Sequence, residues 1–395
     1  MEAPLPTGMD TACGTGRRYT VAMRGNHFSK EHGPYRQYLS QVLLLLLLAL
    51  GTGCARLAYY GQSIHGQYEL LAARRPIVDL LQDDTTPASL KQRLRTVTDI
   101  LAFGRRELDL PNQGSYQDYA DLKRRYVVWN IFATPEFSLV PRRWCFLIVG
   151  CLDYRGYFAR EDAAAFADGL RAKGLDVYMG GVAAYSTLGW FDDPVLNTML
   201  NWNDARLAEV LLHELVHQKI YLPDDTAFNE ALATSVAIHG VRRWLRERGR
   251  TQELAAYERQ LQQRREFVRL ALATRARLEG LYAMVLPDRQ KRRRKAEIFK
   301  DMRSRYRRWR HCQGDLVDYD AWMATGLNNA KLSAVATYHD YVSGFDAMLK
   351  NVDGDIGQFF RQVEALGQRQ PDNRHAYLRK IAHPTPLSPC ARIAD

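Results

Sequence analysis

The residues best suited to chemistry are His213 and His217, which flank Glu214 in the sequence His-Glu-Leu-Val-His. Side chains four residues apart share one face of a helix, so both imidazoles can bind the same metal ion. Glu214 directly follows the first histidine, and its carboxylate can reach a water molecule on the metal rather than the metal itself. We therefore predict a Zn2+ cofactor, with His213 and His217 as ligands and Glu214 as the catalytic base.

A catalytic zinc site usually has three protein ligands and one position open to water. The chain leaves the first helix near Pro223, and a second helix is predicted from Phe228 to His239, ended by Gly240. Two helices joined by a short loop can pack antiparallel, which would bring Glu230 beneath the histidines. Aspartates in turns more often cap helices, and His239 lies about 13 Å beyond Glu230 along the helix axis. We predict Glu230 as the third ligand, ahead of Asp224, Asp225 and His239.

The elements that must position these residues predict the class α+β, predominantly α-helical. From residue 203 to residue 384 nearly every segment has helical character, whereas residues 104–160 alternate apolar and aromatic runs with turns, as strands do. A small β-sheet is therefore expected before the metal-binding helix. The other predicted elements are a helical stretch at 55–103 broken at 74–76, strands at 126–132, 144–149, 156–159 and 177–186, and a helix at 161–173.

The chain has 55 Lys and Arg against 44 Asp and Glu, a formal net charge of +11. Much of the excess lies between Arg242 and Arg310, within helix-forming sequence. We expect a long charged helical hairpin that turns near Pro287 and exposes a solvated basic face. This distribution argues against nucleic-acid binding. Contact with anionic lipid head groups is the sharper alternative to a merely solvated surface.

The N-terminus predicts a compartment. Nine apolar residues, Val42 to Leu50, are too few to span a bilayer but suit the hydrophobic region of a signal peptide. The following Gly-Thr-Gly-Cys resembles a bacterial lipobox, with its usual leucine one residue early. We expect lipidation of Cys54 and a lipid-anchored protein of the bacterial cell envelope that faces the periplasm. In that oxidising space Cys145 and Cys151 could pair if the chain turns between them, and two buried thiols are the alternative.

Four segments follow. Residues 1–53 are a signal peptide, for which Met23 is a more ordinary start than Met1. Residues 54–240 hold N-terminal helices, the small sheet and the zinc-binding helices. Residues 241–315 are the charged hairpin, and 316–395 a C-terminal helical part of the same catalytic unit.

Several segments carry a resemblance to one family. The zinc motif with its Leu212 flank, followed by residues 225–231, is similar to the bacterial "putative zinc aminopeptidase" family, whose members are predicted lipoproteins. Asn229-Glu230-Ala231 also resembles the glutamate-ligand motif of thermolysin-like gluzincins, although Thr234 stands where those proteins have an aspartate hydrogen-bonded to a zinc histidine. The resemblance extends from about residue 54 to about residue 350, and its other segments are 126–130, 151–158, 184–194 and 328–331.

The resemblance implies a zinc-dependent aminopeptidase that removes N-terminal residues of peptides. Glu214 would accept a proton from the attacking water and pass it to the leaving amine. A further donor is needed for the oxyanion, and Tyr338 is the first candidate and Tyr185 the second. An envelope metalloendopeptidase remains an alternative. So does a non-catalytic zinc-containing lipoprotein that binds lipid or a partner through its basic helices.

The segment from Val177 to Ser186 precedes the zinc helix, as the substrate-binding edge strand does in gluzincin-like proteases. Gly180 and Gly181 would let a peptide backbone approach closely, although the segment could simply be a strand beneath the helix. An aminopeptidase also needs a carboxylate for the substrate ammonium, and Asp192, Asp193 or Glu209 could supply it. We predict four substrate-binding residues: Gly180, Gly181, Tyr185 and Asp192.

Overall fold

The computed structural model describes residues 58–111, 114–146, 150–184, 192–313, 319–339, 341–382 and 390. The described chain from Tyr59 onward forms one unit. Three predictions lie outside the described residues: the signal peptide, the lipidation of Cys54 and the role of Tyr185. Tyr338 belongs to a described helix, but its side chain is not described.

The fold is α+β and predominantly α-helical, as predicted. Before the metal-binding helix the helices are α1 (58–72), α2 (Ile77–Gln82), α3 (Ala88–Leu108), α4 (Arg160–Arg171) and α5 (Asn197–Leu200). After it begins they are α6 (Asp204–Lys219), α7 (Thr226–Glu247), α8 (Thr251–Ala283), α9 (Asp288–Gln313), α10 (Asp320–Ala324), α11 (Asn329–His339), α12 (Val342–Asn351), α13 (Ile356–Gly367) and α14 (Pro371–Ile381).

Within the described residues the strands make two three-stranded sheets and one two-stranded sheet, so the predicted sheet structure consists of several small sheets. They are β1 (Arg74–Pro76), β2 (Asp118–Ala120), β3 (Val128–Thr134), β4 (Trp144–Phe146), β5 (Gly150–Leu152), β6 (Arg155–Tyr157), β7 (Asp176–Val182) and β8 (Val195–Leu196). The orders are β1-β2-β8, with β2 and β8 parallel, and β6-β3-β7, which is antiparallel. Strands β4 and β5 pair separately. The predicted break at 74–76 is therefore a short strand.

Helix α6 lies in the main hydrophobic core and packs against α3 and α7. Its apolar residues occupy several faces and are fully buried, because neighbours cover the helix on more than one side. They include Leu207, Leu211, Leu212, Leu215 and Val216. Asn203 caps the start of α6, because its side chain accepts a hydrogen bond from the backbone N–H of Arg206 at 2.8 Å.

Helix α7 does not end at Gly240, as the sequence suggested, but continues to Glu247. A Cβ atom at this glycine would lie 2.6 Å from Leu108 and 2.7 Å from Leu212. Gly240 therefore serves close packing of α7 against α3 and α6 rather than helix termination.

Helices α8 and α9 form the predicted charged hairpin, with Pro287 in the turn. The pair has its own hydrophobic core, which includes Phe267, Leu278, Phe299, Met302 and Trp309. Residues 241–247, which the prediction assigned to the hairpin, belong to the end of α7. Among the helices that the structure describes, none is both long enough and apolar enough to cross a membrane.

Two disulfides lie within the part of the chain that the structure describes. Cys145 and Cys151 face each other across the β4–β5 pair and are bonded, which decides between the two alternatives left by the sequence. Cys312 at the end of α9 is bonded to Cys390, a pair that the sequence did not predict.

Candidate metal centre

The candidate metal centre lies where α6 and α7 pack antiparallel. Helix α6 ends at Lys219, residues 220–225 form the turn, and α7 begins at Thr226. The side chain of Asp225 caps α7 by accepting from the backbone N–H of Phe228 at 3.2 Å. Asn229 closes the turn, because its side chain accepts from the N–H of Leu222 at 2.9 Å and donates to the carbonyl of Leu222 at 2.7 Å.

Polar contacts from two other parts of the chain also hold this turn. Asp224 accepts a hydrogen bond from the backbone N–H of Cys151 at 2.6 Å, so the disulfide hairpin is attached to the turn. Buried Asp225 receives Arg374 of α14 at 2.7 Å and lies 2.8 Å from His375 Nε2. The position of α7 relative to α6 is thus fixed by contacts from both earlier and later parts of the chain.

Three ligand atoms converge across the helix pair. The Nε2 atoms of His213 and His217 lie 3.1 Å apart. Glu230 Oε2 lies 3.1 Å from His213 Nε2 and 3.7 Å from His217 Nε2. Because the two histidines are one helical turn apart and Glu230 faces them from α7, the three residues form a cluster that could hold a metal ion.

The separations of these atoms test whether a metal fits. Donor atoms that lie about 2.0–2.1 Å from a tetrahedral zinc ion lie about 3.4 Å from one another. The observed separations of 3.1, 3.1 and 3.7 Å bracket that value. Imidazole nitrogen and carboxylate oxygen are also the donors found in three-ligand catalytic sites. The residues present therefore fit a metal of this kind.

Electrostatics favour a positive charge at the cluster. Burial opposes ionisation of Glu230, but the charges of His217 and His213 and their hydrogen bonds outweigh it and lower the pKa of its carboxyl group. Burial likewise opposes protonation of His217, but the Glu230 carboxylate outweighs it and raises the imidazole pKa. A metal cation at this point would therefore be stabilised by direct coordination to the buried Glu230 carboxylate.

Glu214 lies on the same helix, between the two histidines in sequence. Burial raises the pKa of its carboxyl group, and the Glu230 charge adds to this, while His213 and His217 lower it. The carboxylate is therefore a stronger base than an exposed glutamate, which suits proton transfer.

The ring nitrogen Nδ1 of His217 is buried and has no hydrogen-bond partner within the described residues. Histidines that bind metals usually donate this second N–H to a carboxylate, carbonyl or water. Thr234, which replaces the aspartate of the gluzincin pattern, is buried on α7. Among the described residues, no carboxylate thus takes the place of that aspartate at His217.

Two tyrosines near the cluster were not predicted from the sequence. Tyr221 follows α6, and its ring meets the His217 ring edge-on with centroids 6.5 Å apart. Tyr154 lies in the β5–β6 turn and packs on Phe132. Burial raises the pKa of both hydroxyls, and the Glu230 charge adds to this effect. Their sequence signals were a tyrosine one turn after His217 and a tyrosine within the family-like segment 151–158.

A family model that matches most of the sequence shows the family of this chain. The model of the family described as "Putative aminopeptidase" matches residues 58–378. The chain belongs to this family. The resemblance inferred from the sequence is thereby confirmed, and the match continues beyond the predicted limit through most of α14. No curated protein and no solved structure matches the chain. Membership of the aminopeptidase family supports a peptidase function.

The predicted substrate-binding strand is β7, which lies at one edge of the described sheet β6-β3-β7. The carbonyl of Val177 points away from β3, because it accepts from the side chain of Asn328 at 3.0 Å. Backbone groups alternate along a strand, so those of Met179 and Gly181 point to the same side, away from β3. The strand therefore has the backbone orientation that pairing with a peptide requires.

The two glycines of β7 have neighbours that already use the space their missing side chains leave. A Cβ atom at Gly181 would lie 2.5 Å from the ring of Tyr126, and one at Gly180 would lie 3.1 Å from the hydroxyl of Tyr178. Their small size is thus explained by packing within the sheet.

The three acids considered for the substrate ammonium differ in their surroundings. Asp192 is exposed, and Asp193 is buried. Glu209 is buried, and its carboxylate is bound by Arg206, Arg264 and Tyr257, so it does not fit the role. The described contacts of Asp192 join its carbonyl to Arg74 at 2.9 Å and do not connect it with the metal ligands.

Proposed function

We propose that this protein is a zinc-dependent aminopeptidase that hydrolyses N-terminal residues of peptides in the bacterial cell envelope. The observation that carries the proposal is the convergence of His213, His217 and Glu230 on one point, with Glu214 on the same helix. Two imidazoles and one carboxylate are the ligand set of catalytic zinc in several hydrolases, and they leave a position open to water. The family match supports the peptidase class.

In the proposed mechanism His213, His217 and Glu230 hold the zinc ion. When bound, zinc supplies a water of near-neutral pKa and polarises the carbonyl of the scissile amide. Glu214 accepts the proton of the attacking water and delivers it to the leaving amine. Burial of Glu214 supports this role, because it strengthens the carboxylate as a base.

A hydroxyl donor beside the metal centre would stabilise the oxyanion. Tyr338 was the sequence candidate. Tyr154 and Tyr221 join it, because the charge of Glu230 influences the pKa of both hydroxyls. Tyr154 is the stronger of these two, since the charge of Glu214 also contributes to its shift. The side of β7 that faces away from β3 would bind the peptide backbone by strand pairing.

Exopeptidase specificity would require a carboxylate for the substrate ammonium. Asp192 and Asp153 are the two candidates for this carboxylate. Asp153 directly precedes Tyr154, and its charge contributes to raising the pKa of that tyrosine. Burial raises the pKa of its own carboxyl group although the Arg143 guanidinium, 3.8 Å away, lowers it, and unlike Glu209 it has one arginine neighbour rather than two among the described ion pairs. A partly buried acid of this kind would gain from pairing with an ammonium group.

The proposed location rests on the lipobox-like sequence at Cys54 and on the oxidised cysteines. Disulfides persist mainly in oxidising compartments such as the periplasm. The pairs Cys145–Cys151 and Cys312–Cys390 therefore support a protein that faces the periplasm.

The test uses purified protein, its metal content and one matched peptide pair. We expect about one zinc per chain. We also expect cleavage of peptides with a free N-terminus and none of the same peptides after N-acetylation. Glu214→Gln should retain the metal and lose about 10²- to 10⁴-fold in kcat. Of Asp153→Asn and Asp192→Asn, the one that removes the ammonium contact should raise KM for the free peptide.

Other outcomes would favour the alternatives. Equal cleavage of free and acetylated peptides would indicate an endopeptidase. A zinc-loaded wild type that cleaves nothing in a broad peptide library would contradict the enzyme and leave a structural metal site.

A further inference from the structure

The turn of the α8–α9 hairpin exposes apolar side chains. We call residues 284–294 the hairpin tip. Val285 is fully exposed at 103%, and Met284 is 49% exposed. Pro287 follows in the turn, and α9 begins at Asp288. Two adjacent large apolar side chains therefore face solvent at this turn, directly before a run of basic residues.

The hairpin tip also concentrates positive charge. Residues 284–300 contain seven Lys and Arg against two acids, a net charge of +5. Two of these cations hold the hairpin to the rest of the protein. Arg292 pairs with Glu136 at 2.7 Å, and Lys295 pairs with Asp176 at 2.6 Å.

The remaining arginines of the tip face solvent. Arg293 has an exposed partner, Glu297, at 3.1 Å. Arg294 contacts the sulfur of Met284 at 3.6 Å, and within the described residues neither it nor Arg289 has an acidic partner. An exposed pair such as Arg293–Glu297 contributes little energy, so all three guanidinium groups can bind phosphate.

The tip is held in place by packing. Leu281 and Phe299 on either side of the turn are buried. Lys291 donates to the carbonyl of Tyr282 at 3.2 Å across the turn. The apolar and basic side chains are therefore presented together by an ordered turn, and binding would cost little conformational entropy.

We propose that the hairpin tip is a membrane-binding site for anionic phospholipids, in which Val285 and Met284 enter the acyl boundary while Arg289, Arg293 and Arg294 bind phosphate head groups. A bilayer is the partner that matches both features, since it offers an apolar layer directly beneath a layer of negative charge. Nucleic acid or an acidic protein would match the arginines and leave Val285 in water. The site is independent of the proposed peptidase chemistry.

The experiment measures co-sedimentation with vesicles. We use residues 55–395, because the chain from Tyr59 forms one unit with its own core and the apolar run at 42–50 would itself bind lipid. Vesicles of phosphatidylglycerol and phosphatidylcholine in equal parts are compared with phosphatidylcholine alone at about 0.1 M salt. We expect binding to the anionic vesicles that is at least tenfold tighter, since each cation at such a surface adds about fivefold.

Two tip variants and two matched controls localise the binding. The charge variant is Arg289→Glu with Arg293→Glu and Arg294→Glu. Its control, Arg95→Glu with Lys173→Glu and Arg361→Glu, removes the same charge from other exposed positions. The apolar variant is Val285→Asp, and its control is Val78→Asp, which is also exposed. Both tip variants should lose at least tenfold in affinity, and both controls should retain most of the binding.

Three results would overturn the proposal. Equal loss in the charge variant and its control would mean that net charge alone drives adsorption. Full binding by Val285→Asp would mean that no apolar insertion occurs. Binding to heparin but to neither vesicle type would indicate a soluble polyanion as the partner. Unchanged thermal unfolding of all four variants ensures that the losses are local.

Discussion

Two buried glutamates lie within or against helix α6, and their carboxylates have different partners. Glu209 belongs to α6, is 5% exposed, and receives Arg264 and Arg206 at 2.6 Å and the hydroxyl of Tyr257 at 2.7 Å. Glu230 approaches α6 from α7, is 7% exposed, and faces His213 and His217. Both carboxyl groups have a lowered pKa, because neighbouring cations or potential cations outweigh burial.

The difference lies in the partners. Guanidinium groups only donate hydrogen bonds and stay charged, so they saturate Glu209 and cannot bind a metal. Imidazoles carry a lone pair when neutral, so together with Glu230 they can share a cation. Arg264 and Tyr257 both belong to α8, and Glu209 therefore attaches the hairpin to α6. Glutamate thus joins two helices at position 209, whereas at position 230 it could bind a metal ion.

The largest contrast should appear in metal affinity. Glu230→Gln removes a ligand charge and should weaken metal binding by more than the about 10- to 100-fold typical of lost outer-shell partners. Titration calorimetry with zinc on both variants measures this. Glu209→Gln is the matched control, equally buried and equally conservative, and should bind the metal almost as the wild type does. A similar loss in both variants would contradict the division of roles.

The next effect is on stability. Glu209→Gln leaves Arg264 buried without its counter-charge, which should lower the free energy of unfolding by about 3–5 kcal/mol. Urea unfolding of chelator-treated protein measures the change without a contribution from the metal. A loss under about 1 kcal/mol would show that solvent screens this cluster as it does a surface pair.

The smallest effect is the pH dependence of that loss. Burial opposes ionisation of Glu209, but Arg264, Arg206 and Tyr257 lower its pKa from 4.5 to about 2. Since the folded pKa lies below the unfolded one, the stabilisation is complete above about pH 5 and disappears as the pH falls towards 2. It amounts to about 3 kcal/mol.

The measurement compares wild type and Glu209→Gln by urea unfolding at several pH values. The difference in stability between them should narrow by about this amount from pH 6 to pH 2, because other carboxylates titrate equally in both. A pH-independent difference would mean that the arginines do not lower the pKa.

Local patterns predicted part of this arrangement well. The spacing of His213 and His217 and the short turn before Glu230 each depend on neighbouring residues, and the structure brings the three side chains together. Gly240 shows where local reasoning failed. A glycine inside a helical pattern usually suggests an end, but here contact with Leu108, far away in sequence, explains it.

Contacts between distant segments were beyond the sequence. The pairing of Cys312 with Cys390 spans 78 residues, and Glu209 was a plausible substrate ligand until Arg264 and Tyr257 were found on it. Tyr154 and Tyr221 were two among 21 tyrosines, and only the packing around Glu230 distinguished them.

The sequence by itself determined the family, the helical class and a metal-binding motif, because helix periodicity places residues four apart on one face whatever surrounds them. The tertiary structure decided which buried carboxylate is open to a metal. That choice depends on whether arginines or histidines arrive from other helices, and packing of the whole core fixes their arrival. The sequence had already singled out Glu230 by its place after the short turn, whereas the role of Glu209 followed only from the arginines and the tyrosine that the fold brings to it.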